Sequence, residues 1–114
     1  MTAIDKRGLC LGYALDRAEE ITGLRVNDAL LIEIAASTIA TGMVPDSAPG
    51  LRRIQIDDVG EPGDIVILRG GAGLHAVVTV GSGFVEDVDP RGRKRRVPFR
   101  RVAWLTHSAW RMTG

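Results

Sequence analysis

The residues best suited to nucleophilic chemistry are scarce in this sequence. Cys10 is its sole cysteine, and histidine occurs only at positions 75 and 107. A thiol attacks as the thiolate, a form favoured by a nearby imidazole or by the positive end of a helix. Cys10 lies in Gly8-Leu9-Cys10-Leu11-Gly12-Tyr13-Ala14. If a helix begins near Gly8, its unpaired amides and dipole favour a charged sulfur. The flanking glycines also let a substrate backbone come close. The competing reading of Cys10 is a small buried hydrophobe between Leu9 and Leu11. Being alone, it excludes an intramolecular disulfide and a cysteine-based zinc site.

His75 opens the β-branched run His75-Ala76-Val77-Val78-Thr79-Val80. A three-residue loop at Gly81-Ser82-Gly83, with Gly83 in the left-handed region, pairs Val80 with Phe84. Extended along the hairpin, this register sets His75 opposite Asp89 and Val77 opposite Asp87. Directly opposed side chains stand about 4.5–5.5 Å apart at Cβ, close enough for an imidazole–carboxylate hydrogen bond. Cys10, His75 and Asp89 are therefore the expected nucleophile, base and orienting group, with Asp87 in reserve. His107, in Trp104-Leu105-Thr106-His107-Ser108, reads as structural, and Trp104 and Trp110 read as packing residues.

The elements that must position these groups follow from periodicity. Leu11, Ala14, Ala18 and Ile21 recur at helical spacing, and Gly23 stops that helix. Asn27 caps an expected second helix from Asp28 to about Thr41, before a proline-containing loop from Met43 to Gly50. The period then shortens. Strands are expected over Asp64–Leu68, Leu74–Val80 and Phe84–Val88, with a final pair across Arg95–Trp104 and Ser108–Met112. Helices followed by an antiparallel sheet predict one α+β domain over residues 1–114, with a helical half at about 3–42 and a sheet half at about 52–113.

Composition narrows the classes. The 114 residues are 45% hydrophobic and 25% charged, ordinary for a folded domain. No apolar run reaches the roughly 18 residues of a membrane span, since Glu33, Ser37, Thr38 and Thr41 interrupt the longest one. Asp5, Lys6 and Arg7 break any signal peptide, so a cytoplasmic location is the default expectation, with secretion as an effector left open. The net charge of +1 is unevenly spread. All 14 acidic residues precede Arg91, whereas the last 24 residues hold 8 basic groups and no acid. Arg91, Arg93, Lys94, Arg95 and Arg96 form a candidate surface for a substrate or an acidic protein partner. Nucleic-acid binding is disfavoured, because Phe99 is the sole aromatic from Arg91 to Arg101. A non-catalytic binding module using residues 91–101 is the alternative to an enzyme.

Taken together, Cys10 to Gly23, then Pro62-Gly63-Asp64-Ile65-Val66, then His75-Ala76-Val77-Val78 followed by Asp89-Pro90 and Gly92, resemble the papain-like cysteine hydrolases in their small bacterial forms. The pattern is similar to the peptidase domains of bacteriocin exporters, to papain-fold toxin and deamidase domains, and more loosely to NlpC-type and CHAP-type amidases. The resemblance implies N-terminal helices packed on a C-terminal sheet, and a Cys10–His75–Asp89 triad. It implies cleavage of an amide in a peptide, protein or peptidoglycan, without a metal or organic cofactor, and a toxin or effector role. One position departs from the pattern. Papain-like peptidases usually carry a Gln six residues before the Cys as an oxyanion donor, and Ile4 stands there. The lone Gln55 and lone Asn27 are not obviously placed to replace it, so the oxyanion is expected to rely on the Cys10 amide and a neighbouring backbone group.

Overall fold

The computed structural model describes residues 9–25, 47–48, 50–70, 73–89 and 91–113. The expected helix over Asp28–Thr41 and most of the expected loop to Gly50 lie outside them. Helix α1 spans Leu9–Thr22. It ends as its sequence dictates: Gly23 takes φ +74°, and its amide reaches back to the Glu19 carbonyl.

Seven antiparallel strands form one sheet: β1 (Ser47–Ala48), β2 (Leu51–Ile54), β3 (Ile65–Gly70), β4 (Gly73–Gly81), β5 (Phe84–Val88), β6 (Lys94–Pro98) and β7 (Thr106–Met112). Their order is β1-β2-β7-β3-β4-β5-β6. The architecture is thus α+β, with one helix against an antiparallel sheet among the described residues. The final two strands differ from expectation. β6 and β7 do not pair with each other, because β7 inserts between β2 and β3 while β6 adds to β5. Pro98 and the two 3-10 turns at Phe99–Arg101 and Ala103–Leu105 end β6 and carry the chain across the sheet.

Strand alternation divides the core into two layers. On one face Ala76, Val78, Ile65, Trp110 and Met112 pack under Ala14, Leu15 and Ala18 of α1. On the other, Val66, Leu68, Val77 and Val85 are covered by Phe99, Val102 and Leu105. Small buried residues at Gly12, Ala14 and Ala18 let α1 lie close to the strands. Trp110 is therefore core, whereas Trp104, expected to pack, is 80% exposed.

The Pro62-Gly63-Asp64 turn fastens the far end of the helix. Gly63 has φ +94°, and a Cβ built on it would stand 2.6 Å from Thr22 Cγ2 in the last turn of α1. Both the backbone conformation and the contact require glycine. Asp64 is 1% exposed and accepts hydrogen bonds from the Gly60 and Glu61 amides and from two nitrogens of Arg111.

Candidate active site

His75 and its carboxylate arise from the β4–β5 hairpin. A two-residue turn at Ser82-Gly83, both with positive φ, closes Gly81 against Phe84, and a bulge between Thr79 and Gly81 absorbs one residue. Beyond the bulge Thr79 faces Val85 and Val78 faces Glu86, the same register that the expected three-residue loop gives. A shorter turn plus a bulge reaches the same alignment.

The carboxylate at His75 is nevertheless Asp87, not Asp89. His75 Nε2 is 2.6 Å from Asp87 Oδ2, a diagonal contact across the hairpin. Asp89 has left the strand: its Oδ1 accepts the amides of Arg91 and Arg93 at 2.9 Å each, and its own amide donates to the Arg93 carbonyl. It builds the β5–β6 turn, where Gly92 takes φ +81°. The expectation failed because opposition in a register fixes backbone neighbours, while a carboxylate within a turn satisfies the nearest amides first.

Cys10 stands in the first turn of α1 and packs against the helix-side core. Its thiol meets His75 and the amides of Ala76 and Leu11. The Leu11 amide is among the first four of the helix, which have no intrahelical acceptor. The Ala76 amide is free for a different reason. Thr79 donates its amide to Asp64 on the β3 side, so by alternation Ala76 directs its own toward β5. Among the described residues, β4–β5 pairing stops at Val78 and Glu86, which leaves that amide for the sulfur. The helix start therefore approaches the sheet where two strands part. Since His75 spends Nε2 on Asp87, Nδ1 is the nitrogen it offers to the thiol.

The electrostatics follow from these contacts. Burial pushes the Cys10 thiol up, but the His75 hydrogen bond, the Ala76 amide, the charge on His75 and the Leu11 amide outweigh it, and the thiol is held below its ordinary value. For His75, the hydrogen bond with Cys10 raises the imidazole, burial opposes it, and Asp87 raises it further, leaving it above its ordinary value. The two shifts favour the same charge distribution, thiolate beside imidazolium.

The basic segment separates into distinct roles. Arg95 grips Asp87 through Nε to Oδ1 at 3.0 Å and Nη2 to Oδ2 at 2.9 Å, so Asp87 is shared between an imidazole and a guanidinium. Across the other face, Arg96 donates from Nε at 3.1 Å and Nη2 at 2.6 Å to a single oxygen of Glu86, Oε2. Arg91, Arg93 and Lys94 are exposed in and after the turn. Sequence reasoning missed Glu86, which also accepts from Tyr13 Oη and Arg17 Nε at 3.0 Å each, tying α1 to β5. The available signal was spacing: Tyr13 and Arg17 follow Cys10 by three and seven residues, on one face of the helix. Burial pushes the Glu86 carboxyl up, but Arg96, Arg17 and Tyr13 together hold it below its ordinary value. His107 lies at the β3–β7 bulge, its Nδ1 3.3 Å from Ser108 Oγ. Ile4 and Asn27 lie outside the described residues, and Gln55 is exposed.

No protein-family model matches the chain, and no curated protein matches it in sequence. Among the described residues no cluster of three or more His, Cys, Asp or Glu could hold a metal, and no helix is long and apolar enough to cross a membrane.

Proposed function

We propose that this protein is a cysteine-dependent hydrolase of papain-like type that cleaves an amide bond, with Cys10 as nucleophile, His75 as base and Asp87 as orienting carboxylate. The observation that carries the reading is the line Cys10–His75–Asp87: a thiol at a helix start, an imidazole against it, and a carboxylate 2.6 Å from the far ring nitrogen. A base held between a thiol and a carboxylate is the arrangement that thiol hydrolases use, with α1 supplying the thiol here and the β4–β5 hairpin the other two groups.

In the proposed reaction His75 takes the proton of Cys10, and the sulfur adds to the substrate carbonyl carbon. The tetrahedral oxyanion collapses to a thioester as His75 returns its proton to the departing amine. Water, deprotonated by His75, then attacks the thioester, releasing the acid and restoring the thiol. The Cys10 amide, in the first turn of α1, is the donor proposed for the oxyanion. A papain-like fold, a peptide, protein or peptidoglycan substrate, and an effector or toxin role all belong to this proposal.

The rate of iodoacetamide alkylation of Cys10 against pH, in the wild type and in His75→Ala, tests it. The expected profile shows a thiolate forming well below the free-cysteine value of about 8.5, lost in the variant. A thiol that titrates like free cysteine, or ignores His75, refutes the dyad and turns attention to a binding role for residues 91–101.

A further inference from the structure

A cavity of about 440 Å³ opens between α1 and the β5–β6 edge, lined by Tyr13, Arg17, Glu86, Lys94, Arg95 and Arg96, with Asp16 and Glu20 on the helix. Its position is tied to the thiol. Tyr13 lies one helical turn beyond Cys10 on the same face. From the sheet side, Lys94 pairs with Val88, and the β4–β5 register continued past Val78–Glu86 puts Val88 beside Ala76, whose amide faces the sulfur. Two strand spacings thus separate Lys94 from Ala76, about 10 Å at the backbone. A lysine side chain spans much of that distance.

The charges in the cavity are unequally committed. Arg17 is divided between Glu86 and Glu20, Arg96 ends on Glu86, and Arg95 ends on Asp87. Glu86, surrounded by Arg96, Arg17 and Tyr13, has its acceptor capacity filled. Lys94 differs. Its Nζ rests 5.9 Å above the Tyr13 ring, and among the described residues no carboxylate pairs with it. Arg91 and Arg93, exposed beside it in the turn, contact Asp89 through their backbone amides. The unspent positive charge of the site is therefore concentrated next to the cavity, at the end nearer the thiol.

We infer that this cavity is an anion-binding subsite, in which Lys94, backed by Arg91 and Arg93, receives a carboxylate carried by the substrate close to the amide that Cys10 attacks. The substrate class is then an acidic amide, such as a peptide with a Glu or Asp beside the bond cleaved. The inference rests on the thiol-hydrolase reading, and the test separates the two.

Iodoacetate and iodoacetamide deliver the same alkylation with and without a negative charge. Their rate ratio at Cys10 is measured in the wild type, Lys94→Glu, Lys94→Gln and Arg100→Glu, the last carrying the same charge change on the exposed 3-10 turn. At a separation of roughly 10 Å, reversing one charge lowers the iodoacetate rate about fourfold at low ionic strength, and the effect fades in roughly 0.5 M salt. The iodoacetamide rate stays constant, and succinate slows wild-type alkylation but not that of Lys94→Glu. A ratio that falls no more in Lys94→Glu than in Arg100→Glu overturns the subsite while leaving the thiol reading intact. If neither reagent modifies wild-type Cys10 faster than a free thiol, both readings fall together.

Discussion

Replacing Asp87 by Asn removes the charge from the carboxylate shared by His75 and Arg95 while keeping its shape. A hydrogen bond to a charged partner contributes about 1.5–3 kcal/mol, and 1.36 kcal/mol corresponds to one pKa unit. Arg95 already neutralises part of Asp87 through two hydrogen bonds, so the lower end applies and His75 should lose part of what holds it above its ordinary value. The thiolate–imidazolium form then loses about tenfold against the neutral pair. In an alkylation profile of Cys10 with iodoacetamide, the neutral plateau drops by up to about tenfold and the upper inflection moves down. Asp89→Ala behaves differently. It removes the acceptor of two turn amides and should lower stability by about 1 kcal/mol, with the profile unmoved. If Asp89→Ala shifts the profile more than Asp87→Asn, the orienting role of Asp87 is refuted.

Other consequences can be checked by denaturation. The Cys10 contribution to stability is complete above the thiol's ordinary value of 9.0 and is lost as pH falls through its lowered folded value. The His75 contribution is complete below 6.5 and is lost as pH rises through its raised folded value. The stability advantage of wild type over Cys10→Ala should therefore shrink in acid, and that over His75→Ala should shrink in alkali; either trend reversed contradicts the pair. Gly63→Ala should lose about 1–3 kcal/mol in urea, because φ +94° and the Thr22 methyl both oppose a Cβ. Asp64→Asn should lose about 3 kcal/mol, since it leaves the Arg111 fork on a neutral partner in a buried turn. A loss under 1 kcal/mol would show that Arg111 finds water or Glu61 instead.

What was legible in the sequence was whatever local chemistry decides. Gly23 ended α1, the short period of the β4–β5 segment announced a hairpin, and the register of that hairpin emerged even though its turn was of another kind. The partner of His75 was less legible because Asp87 and Asp89 have the same parity in the strand, and alternation cannot separate them. The β5–β6 turn decided it by claiming Asp89. The position of β7 was not legible at all: a strand at the end of the chain inserts between two earlier ones for the sake of burying Trp110 and Ala109, a long-range choice that leaves no local mark. The basic segment misled in another way. Its charge pattern suggested one surface, but alternation along β6 sends Arg95 to one face and Arg96 to the other.

That alternation gives the dipeptide Glu86-Asp87 its place in the site. The two adjacent carboxylates of β5 point to opposite faces of the sheet. Glu86 holds Tyr13 and Arg17, and through them the helix that carries Cys10. Asp87 holds His75, the proposed base. One strand therefore fixes both halves of the proposed catalytic pair, and the facing strand secures each carboxylate with its own arginine. The arrangement explains why both arginines belong to the site although neither touches the thiol. Arg96 maintains the distance between helix and sheet, and Arg95 limits how strongly Asp87 acts on the imidazole. A base drawn too firmly toward its carboxylate would hold its proton when the amine must leave. In the proposed mechanism, sharing Asp87 with a guanidinium keeps His75 charged enough to favour the thiolate and acidic enough to return the proton.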